Sequence, residues 1–126
     1  MAQLALVAFG GAVGASARHL VNILALRLFG PSFPVGTLTV NVLGGLLMGL
    51  LAGYLALRYE GGGQNLRLFL ATGVLGGFTT FSAFSLDALL LWERGAVVAA
   101  LIYVAGSVLL SIAALAVGLA MVRALG

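Results

Sequence analysis

The residues best suited to chemistry in this chain form one run, residues 76–85, which reads GGFTTFSAFS. The run lies inside a stretch that is otherwise apolar enough to cross a bilayer. Lipid offers the backbone no hydrogen-bond partners, so irregular backbone is tolerated at that depth only where it is buried in protein or lines a cavity. A glycine pair weakens a helix, and unwinding frees carbonyl groups that can bind a small hard cation. The run therefore predicts a helix break in the membrane that handles an ion. The alternative is a packing kink whose polar groups are satisfied by neighbouring helices.

Two phenylalanines follow the predicted break. Phe81 and Phe84 are three residues apart and therefore share a face of the helix that resumes. The edge of an aromatic ring is electropositive, so ring edges can contact an anion weakly enough to let it leave, as conduction requires. The alternative is that the pair makes ordinary core or lipid contacts.

The other polar side chains expected inside the membrane are mostly hydrogen-bond donors. Dehydrating a charge without replacement contacts is very costly, so a path with many donors and few carboxylates favours a small anion. The alternatives are that Asn41 links two helices and that the serines bond back to their own helix, as single serines commonly do. Against the second alternative, three hydroxyls of one predicted helix recur at i, i+4 and i+8. The full set of donors is Asn41, Thr79, Thr80, Ser82, Ser85, Tyr103, Ser107 and Ser111.

Three ionisable residues lie in or near the predicted spans. Arg18 lies inside the first span, where a charge is a functional candidate by default, although its head can also snorkel to the interface. Asp87 is a candidate proton carrier or a partner for an arginine. These two residues are expected in a vestibule or in structural roles. His19 is expected at the membrane interface, and a transition-metal site is not expected because the chain has no second His and no Cys.

The elements that position these residues follow from composition. Of 126 residues, 63% are hydrophobic and 7% are charged, and the mean hydropathy is +1.23. A small soluble domain needs more charged residues than this on its surface. A span needs about 20 apolar residues. We therefore expect an all-α membrane protein, one domain with four transmembrane helices at about 4–28, 37–57, 66–92 and 96–122. The first apolar run is expected to be a span and not a signal peptide, and no soluble catalytic domain is expected.

The spacing of the glycines and the placement of the arginines indicate how the spans assemble. Gly10 and Gly14 in the first span, like the 45, 49 and 53 positions in the second, recur at four-residue intervals that allow close helix packing, either within one bundle or between subunits. The arginines are scattered through the loops and suit lipid phosphate groups better than nucleic acid. Those at the ends of the spans and in the loops divide three to two between the two membrane sides, which is a weak topology signal. It favours insertion in both orientations and head-to-tail pairing. The two groups are Arg58, Arg67 and Arg123 against Arg27 and Arg94.

Three motifs resemble a known family, the Fluc (CrcB) fluoride channels, and the resemblance covers nearly the whole chain. The motifs are GGAVGASAR at residues 10–18, GTLTVNVLG at 36–44 and GVLGGFTTFSAFS at 73–85. The resemblance implies an antiparallel, dual-topology homodimer in the bacterial inner membrane, with two fluoride pores. It also implies a central structural sodium ion held by backbone carbonyls, which fall here to Gly76 and Thr79 of each subunit.

The resemblance also implies roles for individual side chains. Phe81 and Phe84 match the phenylalanines that line the fluoride path, and Thr80 matches a threonine beside it. The polar positions of the path match Asn41, Ser82, Tyr103, Ser107 and Ser111. Three positions depart from the family pattern: Ala83 replaces a common threonine or serine, His19 a common aromatic residue, and Asp87 the usual glutamate.

We therefore expect a passive channel that exports fluoride, with no catalysis and no organic cofactor. One alternative is a small proton-coupled transporter of four helices, similar to the multidrug exporters. Such a transporter needs an acidic residue deep in its first span, where this chain has none, and Asp87 is the remaining candidate. The other alternative is a non-conducting accessory subunit, which leaves the hydroxyls of the fourth span unexplained.

Overall fold

The computed structural model describes residues 1–58 and 63–126. Within those ranges all regular secondary structure is helical, and four helical stretches are long and apolar enough to cross a membrane. This confirms the expected all-α fold with four crossings. The third of these stretches, Gln64–Glu93, is called the third crossing below. The elements are α1 (Ala2–Phe29), α2 (Val35–Arg58), α3 (Gln64–Arg67), a π-helical segment (Leu68–Leu75), α4 (Gly76–Phe78), α5 (Phe81–Glu93) and α6 (Val97–Leu125).

The connections between helices are short and contain glycine where the backbone requires it. Gly30 ends α1 with a φ of 75°, and Gly95 lies between α5 and α6 with a φ of 85°. Both angles are in the left-handed region, which glycine adopts without the steric cost of a Cβ. The connection between the second and third predicted spans, residues 58–65, lies partly outside the described residues, and its last two residues begin α3.

Glycines bring the helix backbones into direct contact within one chain. A Cβ at Gly14 of α1 would overlap the Val74 carbonyl oxygen of the π-helical segment. A Cβ at Gly49 of α2 would likewise overlap the Leu115 carbonyl oxygen of α6. Of the two expectations for these glycines, packing within one bundle is therefore the one observed. The third crossing is held against α1, and α6 against α2.

The third crossing is broken, as expected, but not where the glycine pair predicted. Gly76 and Gly77 are helical, and α4 ends at Phe78. The extended residues are Thr79, with φ −88° and ψ 162°, and Thr80, with φ −154° and ψ 122°. The prediction of unwinding at the glycines is thus wrong by about one turn, because a partner on another helix fixes the extended residues.

A π-helical segment precedes the break and was not predicted. It covers Leu68–Leu75 and leads directly into α4. Such segments are frequent at functional sites. The third crossing therefore departs from regular α-helix twice, once in its first half and once at its middle.

Candidate functional site

Asn41 of α2 is the partner that fixes the break. Its Oδ1 accepts a hydrogen bond of 2.8 Å from the Thr80 N–H, and its Nδ2 donates one of 2.9 Å to the Thr80 carbonyl. One amide side chain thus pairs with both backbone groups of an extended residue, as a neighbouring strand would. The helix-linking role considered for Asn41 is present, and its place on an ion path stays a prediction.

Several carbonyl groups lose their usual donors at the break, and those of Gly76 and Thr79 are two of them. In a continuous helix the N–H of residue i+4 bonds the carbonyl of residue i. The Thr80 N–H would therefore bond the Gly76 carbonyl, and the Ala83 N–H would bond the Thr79 carbonyl. The Thr80 N–H bonds Asn41 instead, and the Ala83 N–H donates to Thr80 Oγ1 over 3.1 Å. Thr80 thereby caps α5. The carbonyl groups of Gly76 and Thr79 are left without their helical donors, and these are the two groups that the resemblance assigned to a cation.

Arg18 supplies a third contact to the break. Its Nε donates to the Gly77 carbonyl over 3.0 Å. Gly77 lies near the middle of the third crossing, so the guanidinium contacts the break at membrane depth. In a continuous helix the Phe81 N–H would bond this carbonyl, and Arg18 bonds it instead. The contact fits the structural role expected for Arg18, which stays a prediction. His19, beside it, is exposed on α1.

A cavity of about 420 Å³ opens beside the break, between α2, α5 and α6. It collects most of the side chains predicted for an ion path. Three of the predicted residues do not line it. Ser82 is exposed with its Oγ 3.4 Å from Thr80 Oγ1, Ser85 is exposed as well, and the ring of Tyr103 packs against Phe84. The predicted residues on the lining are Asn41, Thr79, Thr80, Phe81, Phe84, Ser107 and Ser111.

The serine hydroxyls of α6 have an unusual environment. The Oγ atoms of Ser107 and Ser111 are buried and have no hydrogen-bond partner in the described part of the chain. Bonding back to their own helix, which was the alternative, is seen instead for Ser85, whose Oγ donates to the Phe81 carbonyl over 2.9 Å. A buried polar group without a partner costs about 1–3 kcal/mol. Two such hydroxyls on one cavity wall therefore favour a ligand that accepts hydrogen bonds from them.

The aromatic rings form a row along the same cavity. The ring centroids of Phe81 and Phe84 are 5.5 Å apart, and those of Phe84 and Tyr103 are 5.3 Å apart. Phe84 is buried, whereas Phe81 is 77% exposed in the single chain. The prediction that the two phenylalanines share a face is confirmed. The exposed ring marks a side of the cavity that this chain does not close.

Asp87 and Tyr103 join the row of rings to a second cavity. The Tyr103 hydroxyl donates to Asp87 Oδ2 over 3.1 Å, so within the described residues Asp87 pairs with a phenol. The second cavity, of about 400 Å³, is lined by Asp87 and by the loop between α1 and α2. Phe33 of that loop packs edge-on against Tyr103, with centroids 5.5 Å apart. Sequence reasoning missed Phe33, although an aromatic residue between two prolines in a short loop was a usable signal.

The fold and the site together define a class of protein: a multi-pass membrane protein whose third crossing breaks beside a cavity of hydroxyl groups and aromatic rings. Residues 5–119 match the family described as CrcB-like protein, Camphor Resistance (CrcB). The chain belongs to this family, which confirms the resemblance drawn from the three motifs.

Individual relatives cover almost the whole chain. It is 57% identical over 120 residues to the fluoride-specific ion channel FluC of Rhodopseudomonas palustris (strain BisB5), covering 95% of this chain and 96% of that protein. It is 61% identical over 119 residues to the protein of the same name from Paracoccus denitrificans (strain Pd 1222), covering 94% and 93%. Identity to the FluC of Rhizobium etli (strain CIAT 652) is 57% over 125 residues, or 99% of both chains. The relatives are named as ion channels and not as enzymes or proton-coupled transporters.

Proposed function

We propose that this protein is a fluoride-selective passive channel of the bacterial inner membrane that lowers cytoplasmic fluoride. The observation that carries the proposal is the pair of buried, unpartnered hydroxyls of Ser107 and Ser111 on a cavity that also presents the rings of Phe81 and Phe84. The names of the relatives supply the identity of the anion.

The cavity offers what a dehydrated small anion needs. The hydroxyl protons of the two serines replace part of its hydration shell, and the ring edges add weak electropositive contacts. Rings hold an anion less tightly than a cationic side chain does, so the ion can leave. Thr80, at the start of α5, stands beside this path. In this proposal, selectivity follows from the width of the path and from the number of donors.

We infer that the conducting unit is an antiparallel homodimer with two pores. The support is the uncovered side of the cavity, where Phe81 is 77% exposed and Gly76 is exposed as well. Both residues adjoin the break and the cavity, and a second copy of the chain would cover both. The weak arginine asymmetry suits insertion in both orientations.

A structural sodium ion fits the break chemically. The carbonyl groups of Gly76 and Thr79 lack their helical donors, and hard cations prefer such oxygens. A second copy would supply an equal pair. Bound there, sodium would neutralise the carbonyl dipoles of both breaks, and at about 10 Å and an effective dielectric near 20 it would attract an anion by about 1.7 kcal/mol.

The sodium proposal has its own test. The thermal midpoint of the detergent-solubilised protein is measured in sodium, in potassium and in N-methylglucamine chloride at equal ionic strength. We expect sodium alone to raise the midpoint, in a saturable way, because binding to the folded state stabilises it. Equal midpoints in all three salts would remove sodium from the account without touching fluoride conduction.

Fluoride efflux from liposomes tests the channel and its ring contacts together. We expect Phe81→Ile to reduce efflux roughly fivefold, because a ring contact is worth about 1 kcal/mol. The matched control is Phe9→Ile, since Phe9 is also exposed but stacks on Phe69, away from the cavity. Equal efflux from both variants, with the dimer intact by light scattering, would refute the aromatic role.

The proton-coupled alternative is tested in the same liposomes. Asp87 is its coupling residue, and Asp87→Asn would then abolish a pH-driven, electroneutral fluoride uptake. We expect instead an electrogenic flux that persists without a pH gradient.

A further inference from the structure

The second cavity contains one positive and one negative side chain. It lies at the end of the molecule where the loop between α1 and α2 meets the turn between α5 and α6. Of the described residues that line it, the charged ones are Asp87 and Arg94. The cavity adjoins the anion path, because Ala83 and Asp87 on its wall flank Phe84, which lines the first cavity.

Asp87 is unfavourable for an anion that enters this way. Its carboxylate accepts the Tyr103 hydroxyl over 3.1 Å, so the carboxylate faces the row of rings that leads to the path. A negative charge at that point repels an approaching anion, and the repulsion is stronger where the wall is apolar and screening is weak.

Arg94 lines the same cavity. Its Nη2 donates to the Ser32 carbonyl in the loop between α1 and α2. This bond joins the two connections that frame the cavity, and it tethers the exposed Arg94 side chain beside it. Two other charged residues at this end of the chain, Arg27 and Glu93, do not line the cavity. Local neutrality of the cavity therefore depends on Arg94.

We propose that the hydrated anion enters the conduction path through the second cavity and that the positive charge of Arg94 offsets the negative charge of Asp87 there. This inference rests on the proposed fluoride conduction. Without Arg94 the cavity carries a net negative charge, and anions are depleted from it. At about 10 Å the depletion amounts to roughly twofold at the dielectric of water and roughly seventeenfold at an effective dielectric near 20.

The test is fluoride efflux from liposomes at low ionic strength, with dimer mass checked for every variant. We expect Arg94→Gln to slow efflux by roughly twofold to seventeenfold, and we expect added potassium gluconate to remove the difference, because the Debye length falls to about 3 Å at 1 M salt. Arg94→Lys keeps the charge and should conduct like the unmodified protein. The matched control is Arg27→Gln, which removes an arginine from the same end but not from the cavity, and it should have no effect.

A double variant isolates the charge balance. Asp87→Asn keeps an acceptor for the Tyr103 hydroxyl but removes the negative charge, so adding Arg94→Gln to it should cost less than Arg94→Gln costs alone. Unchanged efflux in Arg94→Gln at low salt, or a loss that Arg94→Lys and Asp87→Asn do not relieve, overturns the inference while leaving fluoride conduction standing. If the unmodified protein passes no fluoride, the proposed function fails and this inference fails with it.

Discussion

Replacing Asn41 with alanine removes both hydrogen bonds that hold Thr80 extended. Side-chain hydrogen bonds between membrane helices contribute about 0.6 kcal/mol on average and about 1.7 kcal/mol at most. Two of them together therefore contribute about 1–3.5 kcal/mol. We expect Asn41→Ala to lower the free energy of unfolding by that amount, and to lower fluoride flux because the cavity beside the break loses its shape.

The free energy is measured by steric trapping in bicelles, which reports on unfolding within a lipid environment. The control is Thr39→Ala, since Thr39 is exposed on the same helix, two residues from Asn41, and a surface change of this kind is worth less than about 0.5 kcal/mol. If Asn41→Ala unfolds with the same free energy as the unmodified protein, then Asn41 does not stabilise the break and the reasoning is wrong.

Three further outcomes follow from the packing and from the cavity. Gly14→Ala should destabilise the protein by about 1–3 kcal/mol, because the new Cβ overlaps the Val74 carbonyl. Gly11→Ala, where a Cβ meets open space, should be neutral, and equal thermal midpoints for the two variants would contradict the packing. Ser107→Ala should raise the free energy of unfolding by about 1 kcal/mol, because the variant removes an unpartnered buried hydroxyl. The same variant should slow fluoride flux, and a loss of stability would mean that the hydroxyl has a protein partner. A Phe81→Cys variant treated with a thiol cross-linker should yield a cross-linked dimer, because Phe81 is 77% exposed in one chain. A product that stays entirely monomeric would contradict the dimer.

Much of the fold could be predicted from local sequence because lipid restricts the choices. Four apolar stretches of sufficient length leave few alternatives to four crossings. The spacing of Phe81 and Phe84 fixes their common face for the same reason, since it depends only on the geometry of one helix. The donors of α6 are a third case, since the four-residue intervals from Tyr103 to Ser111 place them on one side.

The position of the break could not be predicted in the same way. Glycine content is a local signal and pointed to Gly76 and Gly77, but the extended residue is the one that Asn41 bonds from another helix. The contact of Arg18 with the Gly77 carbonyl has the same origin, because it joins residues 59 positions apart. The π-helical segment has no local signature in Leu68–Leu75, where close packing of glycines against α1 accompanies it.

The central claim is that fluoride moves passively along hydroxyl groups and rings beside the break. It is tested most directly by the reversal potential of purified protein in a planar bilayer, under a tenfold fluoride gradient with and without an opposing pH gradient. A passive fluoride channel reverses at about 59 mV per tenfold gradient, and the pH gradient leaves that value unchanged. A reversal potential that moves with pH, or the absence of any fluoride current, would contradict the claim.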